Sequence, residues 1–176
     1  QVDPVGQELR ARLAQDLPPA ERAEALGMLG RIALEQSAIP EARARLQDAL
    51  LADRETGSLS GEADDALVLA ALLAQQDQQA SAAEAVLGAH AWAFQQAPAF
   101  QPWATLQQAG WLRMRGALAE GLAVLDEGRD FTRGKRWGVY NIQRLYLEFL
   151  EALTLREDTV PGGASRAELV FYQLGK

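Results

Sequence analysis

The sequence predicts an all-α fold, built from consecutive antiparallel helical hairpins. Three observations carry this. Ala, Leu, Gln, Glu and Arg dominate the 176 residues; they are strong helix formers, and the β-branched residues that favour strands are scarce. Apolar residues recur at the three- and four-residue spacing of a helix face, and no run alternates at period two for long enough to make a strand. Proline and glycine cut the chain into helix-length segments with short turns between them.

Each element has its own local signal. Asp3 before Pro4 reads as a cap residue ahead of a first-turn proline, and Leu9 and Leu13 mark one face of a first helix reaching Asp16. Leu17, Pro18 and Pro19 stop it. A second helix is expected over 19–36, with Leu26, Leu29, Ile32 and Ala33 as its apolar stripe. Pro40 opens a third helix running to Asp53, and the composition of residues 56–61 reads as a loop. A fourth helix is expected over 62–76 and a fifth over 79–95, followed by a break at Pro98 and Pro102. The sixth, 103–115, ends at Gly116, and the seventh runs over 118–131 to a break at Gly134. The eighth, 137–156, is the longest; Pro161, Gly162 and Gly163 then turn the chain into a short last helix capped by Ser165.

Hydrophobic residues make up 48% and charged residues 23%, which places the chain among globular rather than disordered proteins. The net charge of -7 and pI near 4.8 lack the electrostatic footprint of a nucleic-acid binder. Arg129, Arg133, Lys135 and Arg136 form the one basic cluster; Glu127 and Asp130 dilute it, and it reads as a solvated loop. Positive charge is almost all arginine, with Lys135 and Lys176 the two lysines, which reads as the codon usage of a GC-rich bacterium. With no cysteine there is neither a disulfide nor a thiolate metal site, and the longest apolar run, 66–74, is too short to span a bilayer. A chain beginning at Gln1 is expected to be a processed product or an excerpt of a longer protein.

Paired helices with short turns raise the question of an internal repeat. Reading from Ala23, a unit places Leu26, Leu29 and Ala33 at large apolar positions of its first helix and Leu46 in its second. Gly30, Ala42 and Ala49 fill small positions, and Ser37 falls at the turn. Reading from Ala63, the same places hold Ala66, Leu69, Ala70, Leu73, Asp77, Ala82, Val86 and Ala89. Reading from Pro102, they hold Thr105, Gln108, Ala109, Leu112, Gly116, Gly121, Leu125 and Gly128, with the first two fitting least well. A fourth unit from Arg136 fits through Val139, Ile142 and Tyr146 and then departs, because its helix continues past the expected turn. This pattern resembles the tetratricopeptide repeat family, whose unit is about 34 residues long. The resemblance covers residues 23–135 in units 23–56, 63–96 and 102–135, with 136–176 as capping helices. It implies one domain, 1–176, forming a right-handed α-α superhelix, in which the small residues let neighbouring helices approach closely.

Catalytic and metal motifs find little to rest on. The single histidine, His90, removes any multi-histidine site and reads as a packed or partly exposed residue. Gly134-Lys135 is not a phosphate loop, because Gly128 is misplaced and Arg136 stands where Ser or Thr would meet magnesium. Asp126, Gly128 and Asp130 miss the calcium-loop spacing, and the remaining carboxylates are spread over helix surfaces. Neither an enzyme nor a cofactor is expected.

What the resemblance implies instead is a groove lined by the first helix of each unit. Its groove positions carry over to Glu24, Gly27, Arg31, Leu34 and Glu35 in the first unit and to Asp64, Leu67, Ala71, Ala74 and Gln75 in the second. In the third they fall on Trp103, Leu106, Gly110, Arg113 and Met114, and in the fourth on Trp137, Tyr140, Arg144, Leu147 and Glu148. The family's chaperone-binding members grip a terminal carboxylate with Lys and Asn; Gly27 and Arg31 stand at the first two of those positions, a departure from that pattern. Trp103, Arg113, Trp137, Tyr140 and Arg144 are therefore the expected partner-binding residues, since Trp, Tyr and Arg most often anchor interfaces. Packing of Trp103 and Trp137 between hairpins is the competing reading. The expected function is to hold another protein or peptide in a concave groove, with no direct nucleic-acid contact and no membrane insertion. Two alternatives are the sensor domain of a larger bacterial transcription regulator, which would be cytoplasmic, and an assembly scaffold processed into the periplasm.

Overall fold

The computed structural model describes residues 3–76 and 80–132, with Leu150, Glu151 and Thr154. Among the described residues the protein has eight helices and no strand. They are α1 (Pro4–Leu13), α2 (Pro19–Glu35), α3 (Ile39–Thr56), α4 (Leu59–Gln75), α5 (Ala80–Ala89), α6 (Ala91–Gln96), α7 (Gln101–Met114) and α8 (Leu118–Thr132). The chain divides into two compact units, Gln1–Ala97 and Pro98–Lys176, at the break marked by Pro98. Leu150, Glu151 and Thr154 are helical; the rest of the long helix expected over 137–156 lies outside the described residues, as does the expected last helix.

Helix ends follow local chemistry. The Asp3 carboxylate accepts from the Gly6 backbone N–H at 3.0 Å, and Pro4 occupies the first turn, where its missing N–H costs nothing. The turns after α2 and α7 close alike, and the turn after α3 closes in the same way, the Ser58 N–H donating to the Asp53 carbonyl at 2.9 Å behind Gly57 at φ 70°. In α2–α3 the Ala38 N–H donates to the Ala33 carbonyl at 2.8 Å; in α7–α8 the Ala117 N–H donates to Leu112 at 2.9 Å. Each needs a left-handed residue just before that donor, and the chain supplies Ser37 at φ 58° and Gly116 at φ 76°. Gly116 takes this conformation without strain, whereas Ser37 does so against its Cβ.

Packing within each hairpin is antiparallel and rests on one recurring contact. In the first unit Ala23 and Leu26, early in α2, cluster with Ala49 and Ala52, late in α3. Midway along the pair, Gly30 faces Leu46 so closely that a Cβ on Gly30 would lie 2.7 Å from Leu46 Cγ. In the second unit Ala109 packs against Leu125 at the corresponding places, and Gly121 lies beside the Ala109 carbonyl and Leu112. Leu46, Leu125 and Ala109 are fully buried. A small residue on one helix thus seats a leucine of the other, and dispersion over that close contact holds the pair. Around this frame α1 packs through Leu9 onto Ala25 and Leu29, α4 packs on α2 and α3, and α5 and α6 pack on α4.

Three details differ from the sequence reading. The loop expected over 56–61 shrinks to Gly57 and Ser58, because α4 starts at Leu59 and Gly57 reverses the chain at φ 70°. The helix expected over 79–95 breaks at His90 into α5 and α6; Arg54, from α3, takes the Ala89 carbonyl at 2.8 Å. In the second repeat unit the buried residues after the turn are Ala83, Leu87 and His90, one position later than expected, while Ala82 and Val86 are half-buried and Ala89 is exposed.

Candidate functional site

The described residues with the most chemistry lie between α2, α3 and α4, in the first unit. They are residues that a core normally excludes. Asp53, on the last turn of α3, is only 4% exposed. Asp65, on α4, is also buried, and Asp64 beside it is half-exposed. Arg31 reaches across from α2 and splits its guanidinium, Nη1 donating to Asp65 Oδ1 and Nη2 to Asp64 Oδ2, each at 2.6 Å. Such a forked arrangement suits arginine, whose planar donors are fixed relative to one another.

Two glycines make room for the carboxylates. A Cβ on Gly27 would lie 2.6 Å from Asp65 Oδ2, and one on Gly61 would lie 2.5 Å from Asp53 Oδ1. The result is an open cleft of about 520 Å³, whose walls include Glu24, Gly27, Met28, Arg31, Asp53 and Asp64. Met28 and Arg31 also border a second, larger groove of about 1030 Å³ that runs beside Val5 of α1 and Ile32 of α2. Met28 and Val5 are exposed apolar side chains, so the acidic cleft continues into a partly apolar one.

Electrostatics in the cleft are unbalanced. Burial, with the nearby Asp65 and Glu62 charges, pushes the Asp53 carboxyl up to about 6 against the pull of the Ser58 hydroxyl and of Arg31. Burial and Asp64 likewise raise Asp65, although Arg31 partly restores its ionised form. Asp53 Oδ2 is buried and has no hydrogen-bond partner. A buried acceptor left in this way costs about 1–3 kcal/mol.

A second polar cluster is centred on Glu62, one turn before Asp65 on α4, and is fully engaged. Glu62 Oε1 accepts from Arg54 Nε at 2.8 Å and from His90 Nδ1 at 2.6 Å. Burial works against its charge, yet the hydrogen bonds from Arg54 and His90 outweigh that and hold Glu62 below the usual range. With Glu62 ionised, His90 is neutral and donates through Nδ1; burial, helped by Arg54, lowers its pKa despite Glu62. His90 is therefore a packed histidine that ties α6 to α3 and α4.

Of the five residues expected to bind a partner, Trp103 and Arg113 are described. Trp103 is in the first turn of α7, 36% exposed, and Arg113 is in its last turn, partly buried; both interact with neighbours. Trp137, Tyr140 and Arg144 lie outside the described residues. Arg129, expected in a solvated loop, sits instead on α8, paired with Asp126 and, at 2.8 Å, with the buried Glu151. Arg133, Lys135 and Arg136 lie outside the described residues.

Sequence reasoning had placed Glu24, Gly27, Arg31 and Asp64 on the groove face, but it missed Asp53 and Asp65. Neither has a local signal: what defines them is contact between α2, α3 and α4. It also passed over Trp92 on α6, which is 63% exposed. The chain matches no protein-family model, no curated protein and no solved structure.

Proposed function

We propose that this chain is a polypeptide-binding module of the tetratricopeptide type, a right-handed superhelix of hairpins that holds a partner on the face made by the first helix of each pair. One observation carries the reading. The same small-against-large contact, Gly30 with Leu46 and Ala109 with Leu125, recurs at the same spacing, beside the same left-handed turn at Ser37 and Gly116. Repetition of one hairpin lines up a series of first helices and leaves a face of grooves, as α2 and α4 do in the first unit.

The composition of each unit by itself supports a polypeptide ligand. In the first, acidic and apolar surfaces adjoin at Met28 and Arg31; in the second, Trp103, Arg113, Trp137, Tyr140 and Arg144 are the aromatic and basic anchors expected from the sequence. Selection of a displayed peptide library against the purified chain tests the reading. Enriched peptides should lose binding to the Trp137→Ala or Met28→Asp variants and keep it with Leu51→Ser, a change at an exposed position of α3. The melting temperature should stay nearly unchanged in all three. Enrichment of no peptide, or of peptides sensitive only to Leu51→Ser, would overturn it.

A further inference from the structure

We infer that the cleft between α2 and α4 is a receptor for one cationic side chain, an arginine guanidinium, carried by the polypeptide partner. This deepens the proposed function and rests on it for the source of that side chain. Four carboxylates, of Glu24, Asp53, Asp64 and Asp65, border the cleft against the single guanidinium of Arg31. Arg31 is already committed to Asp64 and Asp65. Asp53 is left over: it is almost wholly buried, it lines the cleft, and its Oδ2 has no donor. An acceptor in that position is satisfied by a donor arriving from outside, and an arriving positive charge also offsets the excess of negative charge.

The geometry favours a planar N–H donor. Gly27 and Gly61 let the Asp65 and Asp53 carboxylates sit directly against the α2 and α4 backbones, where a Cβ would lie 2.6 Å and 2.5 Å from them, and so fix both acceptors at the cleft wall. Among the described residues no three His, Cys, Asp or Glu side chains converge in a way that could hold a metal ion. A guanidinium brings five donors in one plane, so it can reach Asp53 while a second edge meets Asp64 or Glu24. Beside the cleft, Met28 and the apolar margin of the neighbouring groove offer contact for the methylene stem and for an apolar neighbour in the partner.

An NMR titration of the ¹⁵N-labelled chain tests this. The probes are N-acetyl-arginine N-methylamide, its neutral isostere N-acetyl-citrulline N-methylamide, and calcium chloride. The arginine compound should shift the Gly27 and Gly61 amide resonances in a saturable way, and the citrulline compound should bind at least about tenfold more weakly, the loss of one charge-assisted contact. Asp53→Asn should weaken the arginine compound by a similar factor; Asp64→Asn, on the exposed rim, provides the second variant. Equal shifts by citrulline, arginine binding unchanged in both variants, or saturation by calcium without any response to arginine would each overturn the inference. Its failure is distinguishable from failure of the proposed function. Selected peptides that bind without arginine would sink the cleft assignment alone. An arginine titration into the cleft with no peptide enriched would sink the polypeptide reading alone.

Discussion

The two polar clusters that share α4 are made from similar parts and end in opposite states. In one, Glu62 receives Arg54 and His90, and every charge has a partner. In the other, Arg31 serves Asp64 and Asp65, while Asp53 keeps a buried oxygen with no donor. Both lie within one compact unit, and both join helices that the apolar contacts already hold together. A satisfied buried network fixes helices in place, whereas an unsatisfied one costs stability and is kept where something else completes it. The first therefore reads as structural and the second as a site.

Their pH responses run in opposite directions. His90 and Glu62 both bind protons less readily in the folded chain, so the satisfied cluster loses stability as pH falls below about 6.5, the ordinary histidine value, and more so below the ordinary glutamate range. Asp53 binds its proton more readily when folded, so its cluster loses stability as pH rises from 3.8 towards about 6.

The largest expected effect breaks the satisfied cluster. Glu62→Ala strands His90 and Arg54 and should lower the unfolding free energy by about 3 kcal/mol in urea titrations at neutral pH, with Arg54's exposure limiting the loss. A loss under about 1 kcal/mol would mean that the cluster is no more than a surface pair. Gly30→Leu touches neither cluster and calibrates the apolar frame beneath both. With Leu46 Cγ 2.7 Å from where the new Cβ would sit, it should cost about 1–3 kcal/mol by overpacking. A melting curve unchanged by that substitution would count against the hairpin contact itself.

Much of the fold was legible because it is written locally. Asp3 with Pro4 marks the start of α1, Gly116 marks the turn after α7, and the small residues Gly30, Ala42 and Ala49 mark where α2 and α3 touch. What escaped was set by contacts distant in sequence. Arg54 drawing on the Ala89 carbonyl interrupts what otherwise reads as one helix. Ser60 and Gly61 read as loop by composition but lie in the first turn of α4, where Gly61 is needed for its closeness to Asp53 and Ser58. Half of the α2–α4 cleft was visible as groove positions, through Gly27, Arg31 and Asp64. Asp53 and Asp65 were hidden because a buried carboxylate and an exposed one look alike in sequence.

Asp53→Asn separates the two clusters by sign. The amide keeps the shape of the side chain and removes a charge that burial disfavours, so the variant should be more stable than the parent at pH 7, by about 2 kcal/mol. The gain should vanish below about pH 4, where the parent carboxyl is protonated and equally neutral. Measuring urea unfolding of both chains between pH 4 and 8 isolates the part that depends on the Asp53 charge, its repulsion by Asp65 and Glu62 included, because everything not coupled to Asp53 cancels in the difference. A variant less stable than the parent at pH 7 would place Asp53 in a structural role and remove the main reason for calling the cleft a site.

Asp64→Asn should have the smallest effect on stability and is informative for that reason. Its side chain is 51% exposed, and its pairing with Arg31 is a rim contact beside the buried one to Asp65. Exposed pairs contribute little, because water screens them and holding two side chains in register costs entropy, so the expected change is below about 0.5 kcal/mol. The same carboxylate is nevertheless within the cleft and adds to its negative potential. If the cleft receives a cation, this variant should bind the arginine compound more weakly while its urea midpoint barely moves, and added salt should narrow the gap in binding between parent and variant. If binding and midpoint instead fall together, Asp64 acts by holding Arg31 in place, and the contrast between a structural cluster and a receptive one would reduce to a difference in burial.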